Sequence, residues 1–303
     1  MECAGSRQYN HAVHVHPAAW VFLGLRVVLL GLERPLGKKT VLGYSTQTGG
    51  AIFFGIAALA LLPTLAVYSC FHRPAGWAFL GFALLTASLF MVPFVFYLKA
   101  LQHGEVSVIT PLYSLGTLVV FFLPICFQSE RFSWAKLAGA LLIFLGTFFL
   151  RPGSNPLQSL RNLATDRGAQ FIVLNTLLIG VIRLIDNYSA DLEPVFYAIS
   201  CATFNGLFFT GAVWVTGRWG ELKRLYRERT KLAWVNGVVN GYAYFTLLVA
   251  LGLGLDMSVA EPVGNLGMVL AVVLGHYMFG EQIRARLAAS LLMILGVFLL
   301  VRG

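Results

Sequence analysis

The chain has 303 residues, of which 58% are hydrophobic and only 12% are charged. A soluble domain carries roughly 25% charged residues, so this composition excludes a soluble globular protein. The formal net charge of +9 does not indicate a nucleic-acid partner, because the basic residues cluster in short connections between apolar runs, where such charges set membrane orientation. An integral membrane protein is therefore predicted.

The first 16 residues form a polar tail without the basic, apolar and small-residue pattern of a cleavable signal peptide. Its three histidines, His11, His14 and His16, could bind a metal, but a solvated tail is the preferred interpretation. The four cysteines show no CxxC spacing that would indicate a zinc site or a disulfide framework. Neither a cofactor nor a metal is therefore expected.

Ten apolar runs follow, each long enough to cross a bilayer, which takes about 20 residues of helix with a range near 17–25. In chain order they are residues 18–37, 46–68, 75–99, 106–127, 134–150, 170–188, 193–216, 233–255, 258–279 and 287–301. The longest polar connections, 151–169 and 217–232, are too short to be separate domains. The expected fold class is an all-α integral membrane protein with ten transmembrane helices.

The two halves of the chain repeat each other. KLAGALLIFLGTFFL (136–150) matches RLAASLLMILGVFLL (286–300) at an offset of 150, and GLERPLGKK (31–39) lies over GVIRLIDNY (180–188) at an offset of 149. Five spans per copy is an odd number, so the copies must insert in opposite orientations, as in many secondary transporters. The predicted organisation is a tail (1–16), a first five-helix repeat (17–150), a linker (151–169) and a second, inverted repeat (170–303).

The segment 97–150 resembles the EamA-type half of the drug/metabolite transporter superfamily. The matching elements are Ala100-Leu101, Glu105-Val106-Ser107, Pro111, Glu130-Arg131, Gly139 and Gly146. The second half repeats them as Ala250-Leu251, Ser258, Pro262, Gly280-Glu281 and Gly296. The resemblance implies a ten-helix bundle with a central cavity between its halves and alternating access. The first span departs from the family pattern, because Gly31-Leu32-Glu33-Arg34 stands where Trp-Gly is common.

The first and sixth spans carry charges inside the predicted membrane. If Gly31 lies near mid-membrane, Glu33 and Arg34 lie within the bilayer, and the repeat places Arg183 and Asp186 similarly. A charge at the bilayer centre costs about 2.5–3.5 kcal/mol and therefore usually faces a cavity or a partner. We predict that these four residues bind substrate, the two arginines clamping an anion. The alternative is structural: Arg34 extends to the interface, and Arg183 pairs with Asp186 or Glu33.

Three further spans add polar side chains to the predicted substrate-binding set. The eighth span carries a polar stripe at i, i+4 spacing, the ninth carries an acid and an amide on the face shared with His276, and the fourth carries polar residues beside Pro111. These candidates are Asn236, Asn240, Tyr244, Glu261, Asn265, Tyr113 and Ser114. Glu261 is also the candidate for proton coupling, because intramembrane carboxyl groups carry protons in transporters. The alternative is that Glu261 lies near a helix start and is simply hydrated.

These features favour a secondary-active transporter of a small polar metabolite, anionic or zwitterionic rather than cationic, driven by proton coupling or exchange. The chain has no GxxxxGK[ST] nucleotide-binding motif, and no Ser–His or metal-ligand spacing indicates an enzyme. A flippase for a lipid-linked polar or phosphorylated head group and a non-transporting membrane scaffold are the alternatives. The expected partners are the substrate, the lipid bilayer and, as an option, a second copy of the chain, with no nucleic acid.

Charge counting predicts the orientation of the chain in a cell membrane. With ten spans both termini share a side, which carries five basic residues against fourteen on the other side. Because basic residues favour the cytoplasmic side, both termini are expected outside.

Overall fold

The computed structural model describes residues 15–113, 116, 119, 133–147, 164–190 and 192–302, which form helices and no strand. The α-helices are α1 Pro17–Val41, α2 Thr46–Phe71, α3 Ala78–His103, α4 Val106–Tyr113, α5 Trp134–Thr147, α6 Arg167–Ala190, α7 Pro194–Val215, α8 Trp219–Gly252, α9 Met257–Gly264, α10 Met268–Phe279 and α11 Arg284–Arg302. A 3-10 turn, Asn265–Gly267, joins α9 to α10.

Six helical segments in the described part of the chain are long and apolar enough to cross a membrane, namely Thr46–Phe71, Ala78–His103, Arg167–Ala190, Pro194–Val215, Trp219–Gly252 and Val259–Phe279. Helix α1 is also 25 residues long, but it carries five charged side chains. Two of them, Arg26 and Arg34, are each 2% exposed, so protein rather than lipid surrounds them. The chain is an all-helical, multi-pass membrane protein.

Three predicted spans differ from the helices that form. The first, 18–37, continues to Val41, so Lys38 and Lys39 lie on α1 rather than in a loop. The eighth, 233–255, is part of a longer helix that begins at Trp219 and bends at Arg229 (φ −129°, ψ 32°). The ninth, 258–279, is interrupted by the 3-10 turn, in a segment where glycines weaken helical geometry. Most of the predicted fourth span lies outside the described residues.

Close helix contacts build the centre of the bundle. Helices α2 and α7 pack together so tightly that a Cβ on Gly50 would lie 2.3 Å from the Phe209 ring. Helices α5 and α11 pack on each other in the same way, because a Cβ on Gly296 would lie 2.6 Å from the carbonyl oxygen of Gly139. Small residues allow such approach between helices in a membrane, where van der Waals contact drives association.

Local signals in the sequence explain where several helices begin and end. The hydroxyl of Ser45 accepts a hydrogen bond from the Thr48 N–H at 3.3 Å and caps the start of α2. Helix α10 ends at Gly280, whose φ of 68° is the left-handed conformation that glycine adopts without steric cost. These ends fix the connections on one side of the membrane, next to the end of α1.

Candidate functional site

A cavity lies among helices from both halves of the chain, with a volume of about 80 Å³ and room for roughly five water molecules. Its walls come from α1, α2, α3, α4, α6, α7 and α8. Aromatic side chains, Phe54, Phe90 and Phe94, line part of it, and charged or amide side chains line the rest. An apolar wall with a few polar groups is the usual composition of a small-molecule site.

A buried ion network occupies one side of this cavity. Arg26 Nη2 donates to Glu261 Oε2 at 2.7 Å, and Arg183 Nε contacts the other oxygen of Glu261. Arg183 Nη1 also donates to Asp186 Oδ2 at 2.7 Å. All four side chains are at least nine-tenths buried, so each charge depends on the others for compensation. The network carries no net charge and joins α1, α6 and α9.

Two tyrosines complete the surroundings of Asp186. The hydroxyls of Tyr197 and Tyr244 donate to Asp186 Oδ1 at 2.8 Å and 2.7 Å. The Tyr197 hydroxyl also lies 2.8 Å from the hydroxyl of Thr86. Both oxygens of Asp186 are therefore occupied, which holds Arg183 in one position beside the cavity.

Arg34 has no such partners. Its guanidinium lies 4.6 Å from the centroid of the Tyr113 ring, and no carboxylate within the described residues forms an ion pair with it. Its Nη1 has no hydrogen-bond partner there either, although the side chain is 2% exposed. The neighbouring Glu33 accepts a hydrogen bond from the Tyr97 hydroxyl at 2.9 Å. Both residues line the cavity, where their adjacent charges attract each other, although they form no ion pair among the described residues.

Two amides add free acceptors to the same cavity. Asn175 donates from Nδ2 to the Pro93 carbonyl at 2.8 Å, and Asn205 donates from Nδ2 to the Cys201 carbonyl at 2.9 Å. The Oδ1 atoms of both residues have no hydrogen-bond partner in the described part of the chain. A buried polar atom without a partner is rare in native proteins and calls for a ligand or water.

The structure places the residues predicted from the sequence in different surroundings. Those that line the cavity are Glu33, Arg34, Tyr113, Arg183, Asn240 and Tyr244. Glu261 and Asn265 line a smaller void of about 10 Å³ that they share with Tyr113 and Arg183. Asp186 is 0% exposed and holds Arg183. Asn236 is buried and is not part of the cavity lining, and neither polar atom of its side chain has a hydrogen-bond partner among the described residues. Ser114 lies outside the described residues.

His276, which shares a predicted face with Glu261, does not join the cavity. Its Nδ1 lies 2.6 Å from the Glu281 carbonyl oxygen, near the end of α10. The 3-10 turn at Asn265–Gly267 separates the helix of Glu261 from the helix of His276. Within the described residues, no group of three histidine, cysteine or acidic side chains is placed to hold a metal ion.

The sequence interpretation missed Arg26 and Asn175. They lie at the same offset of 149 that relates Arg34 to Arg183, inside the predicted first and sixth spans. Extending the match of residues 31–39 with residues 180–188 by five residues toward the N-terminus would have found both. One basic residue was also misplaced, because Arg34 counted toward the loop charges of one side but is buried at the cavity.

Comparisons with known proteins agree with this architecture. Residues 18–151 match the EamA-like transporter family, which confirms the resemblance to the drug/metabolite transporter superfamily. No curated protein matches the sequence. Chains of solved structures match the fold, among them one described as "Crystal structure of protein", with a TM-score of 0.62 and 17% identity over 93% of this chain and 96% of that one. At that identity the structural match shows the fold alone.

Proposed function

We propose that the protein is a secondary-active transporter that carries a small polar metabolite, anionic or zwitterionic, through the central cavity. The observation that carries this proposal is Arg34, a buried arginine that lines the cavity and forms no ion pair with a carboxylate of the described residues. A guanidinium in a partly dry site forms strong, directional hydrogen bonds to a carboxylate or phosphate. Transport is the known activity of the matched family, and the substrate is the part proposed here.

A zwitterion uses more of the cavity than a simple anion. Its anionic group would pair with Arg34, and its ammonium group would pair with Glu33 and the free Oδ1 atoms of Asn175 and Asn205. The phenylalanine wall would contact the apolar part of such a molecule. Among anionic and zwitterionic metabolites, we therefore place the zwitterions first.

Two hydrogen bonds support the inverted-repeat architecture. Arg26 Nη1 on α1 donates to the Ala243 carbonyl on α8 at 2.8 Å, and Asn175 Nδ2 on α6 donates to the Pro93 carbonyl on α3 at 2.8 Å. The donors differ by 149 positions and the acceptors by 150, which are the offsets of the sequence repeat. Helix α1 thus contacts α8 in the same way as its counterpart α6 contacts α3.

Close packing shows the same pairing. A Cβ on Gly267 would lie 2.4 Å from the Val27 carbonyl oxygen, and a Cβ on Gly116 would lie 3.1 Å from a methyl group of Thr176. These pairs are again related by offsets of 151 and 149. The repeat supports ten spans in two inverted copies of five, and alternating access by rocking of one copy against the other.

Proton coupling through Glu261 stays a proposal, with exchange as its alternative. Each oxygen of Glu261 contacts an arginine, so proton uptake there would require the network with Arg26 and Arg183 to open. Glu33 has no ion pair within the described residues and is the second candidate for carrying a proton. The pH dependence of transport separates the two candidates. It should be lost in the Gln variant of the residue that carries the proton, Glu261→Gln or Glu33→Gln, and kept in the other variant.

The orientation also stays a proposal. The polar part of α8 before its bend, together with Lys38 and Lys39, places many basic side chains at one end of the bundle. We propose that this end faces the cytoplasm of the cell and that both termini lie outside.

The buried ion pairs of Arg183 with Asp186 and Glu261 would also be expected in a non-transporting scaffold. The surroundings of Arg34 would not. A scaffold gains nothing from a buried guanidinium whose Nη1 has no hydrogen-bond partner among the described residues, because leaving a polar group unpaired costs about 1–3 kcal/mol. The free groups around Arg34 therefore favour transport over a purely structural role.

Uptake into proteoliposomes tests the proposed function. Labelled anionic, zwitterionic and cationic metabolites would be offered to vesicles with wild-type protein, with Arg34→Gln, or with the exposed control Arg73→Gln. We expect saturable uptake of zwitterions or anions, retained in the control and lost in Arg34→Gln. Uptake of cations alone, or equal uptake in both variants, would contradict the proposal.

A further inference from the structure

A second, open pocket of about 680 Å³ lies at the bend of α8, far from the cavity. It is formed where α8 passes the end of α1 and the end of α10. Its lining is mostly basic and apolar: Lys39, Arg227, Arg229, Lys231, Glu228, Leu42, Leu232, Phe279 and Thr230. The function proposed above uses none of these residues.

The bend itself is fixed by Arg229. Its Nη1 donates to the carbonyl oxygens of Lys39 at 2.6 Å and Thr40 at 2.9 Å, so it satisfies acceptors left free where α1 ends. Its guanidinium also lies 5.0 Å from the centroid of the Tyr44 ring. Because Arg229 is held in this way, the basic residues on either side of the bend stay around one pocket.

The remaining basic residues of the pocket are uncompensated. Lys39, Arg227 and Lys231 are exposed and form no ion pair with any described residue. The one acid of the lining, Glu228, accepts a hydrogen bond from the Tyr44 hydroxyl. Three exposed basic side chains around one concave surface attract a phosphate or another anion that accepts several hydrogen bonds.

The position of the pocket indicates which phosphate it meets. Trp219, Tyr226 and Trp234 are exposed along the same stretch of α8, and Trp234 Nε1 donates to the Tyr226 hydroxyl at 3.0 Å. Exposed tryptophan and tyrosine mark the membrane–water interface. Burying the charged segment before the bend in hydrocarbon is costly, which favours a position at the membrane surface.

We propose that this pocket binds the phosphate head group of an anionic phospholipid. The basic residues would hold the phosphate, and Leu42, Leu232 and Phe279 would contact the upper part of the acyl chains. A lipid bound there would join the ends of α1 and α10 to the bend of α8.

Native mass spectrometry of the detergent-purified protein tests the site, with phosphatidylglycerol as the probe and phosphatidylcholine as the neutral comparison. The test variant is Lys39→Gln/Arg227→Gln/Lys231→Gln. Its matched control, Lys223→Gln/Arg167→Gln/Arg284→Gln, removes the same charge from exposed residues outside the pocket. We expect phosphatidylglycerol affinity to fall at least about tenfold in the test variant and to stay within about twofold in the control.

Three outcomes would overturn the proposal. Equal phosphatidylglycerol binding by the test variant and the wild type would show that the pocket is not used. An equal loss in both triple variants would show unspecific attraction by the basic surface. If inorganic phosphate alone stabilises the wild type as strongly as phosphatidylglycerol does, the site takes a free anion. Should the test variant not fold, Lys231→Gln against Lys223→Gln makes the same comparison with single exposed residues.

Discussion

Arg34 and Arg183 stand at corresponding positions of the repeated sequence, and each lies near a tyrosine ring, Tyr113 at 4.6 Å and Tyr244 at 5.7 Å. Their partners differ completely. Two buried carboxylates hold Arg183, whereas no described carboxylate pairs with Arg34. Two corresponding positions of the repeated sequence therefore carry different chemistry.

The sequence contains the cause of this difference. Asp186 corresponds to Gly37 at the offset of 149, and Glu261 corresponds to Thr110 at the offset of 151. The first copy thus lacks both carboxylates that neutralise Arg183 in the second copy. One half of the site is a closed, neutral network, and in the other half no described carboxylate forms an ion pair with the arginine.

Breaking the closed half should have the largest effect on stability. Arg183→Gln leaves Asp186 and one oxygen of Glu261 buried without their cation, and loss of one partner from a buried pair costs about 3–5 kcal/mol. We expect a large loss of thermal stability in detergent. The double variant Arg183→Gln/Asp186→Asn should recover part of it, and failure of the second change to help would contradict the assigned pairing.

Substitution of the two glycines related by the repeat, Gly116 and Gly267, should lower stability to different extents, with the larger loss at Gly267. In Gly267→Ala the new Cβ meets a backbone carbonyl of α1 at 2.4 Å, which the structure relieves only by moving a helix. In Gly116→Ala it meets a side-chain methyl of Thr176 at 3.1 Å. Overpacking costs typically about 1–3 kcal/mol, so we expect that loss for Gly267→Ala and a smaller one for Gly116→Ala. Thermal unfolding of both variants measures the difference.

A carboxylate introduced beside Arg34 should form an ion pair with it and compete with an anionic ligand. Thr110 lies one helical turn before Tyr113, whose ring Arg34 covers, and corresponds to Glu261. Thr110→Glu should pair with Arg34 and weaken anion binding about tenfold, because a charge-assisted hydrogen bond is worth about 1.5–3 kcal/mol. Thr110→Gln is the uncharged control of similar size. Equal weakening in both variants would point to steric filling instead.

The smallest effect is expected at the membrane surface. Partial burial alone would raise the pKa of Glu221, but the Ser45 N–H, the Ser45 hydroxyl and the Arg218 guanidinium outweigh it and hold the pKa below 4.5. Glu221 therefore contributes stability above that pH, and the contribution is lost as the pH falls through its folded pKa. The stability difference between wild type and Glu221→Gln should be present at neutral pH and disappear in acid. A constant difference would contradict this.

The helices and several cavity residues could be predicted from the sequence, because a charge inside a membrane is costly and usually faces a cavity or a partner. Charges in the first and sixth spans and the duplicated motifs pointed to helices that meet at a polar cavity, and Glu33, Arg34 and Arg183 do line it. The bend at Arg229 was missed, since its cause is a contact with carbonyls of α1 that are 189 and 190 residues away. Pairing of Arg26 with Glu261, 235 residues apart, is likewise a tertiary effect.

The sequence alone also could not show which of the two arginines, Arg34 or Arg183, forms ion pairs with buried carboxylates. Arg183 has an acid three residues later, which suggested a pair, but its second partner comes from the ninth predicted span. Arg34 has Glu33 beside it in the sequence, yet consecutive helical residues point about 100° apart and do not face each other. The folded arrangement shows that Glu33 accepts a hydrogen bond from the Tyr97 hydroxyl and is attracted by the Arg34 charge without forming an ion pair among the described residues.

The most direct test of the account is ligand binding by wild type, Arg34→Gln and Arg73→Gln, measured as thermal stabilisation by a panel of anionic, zwitterionic and cationic metabolites. A ligand at 100 times its Kd stabilises the folded state by about 2.7 kcal/mol. The account predicts stabilisation by a zwitterion or an anion in wild type and Arg73→Gln, and its loss in Arg34→Gln, with little change in the stability of the free protein. Equal stabilisation of all three proteins, or stabilisation by cations alone, would contradict it.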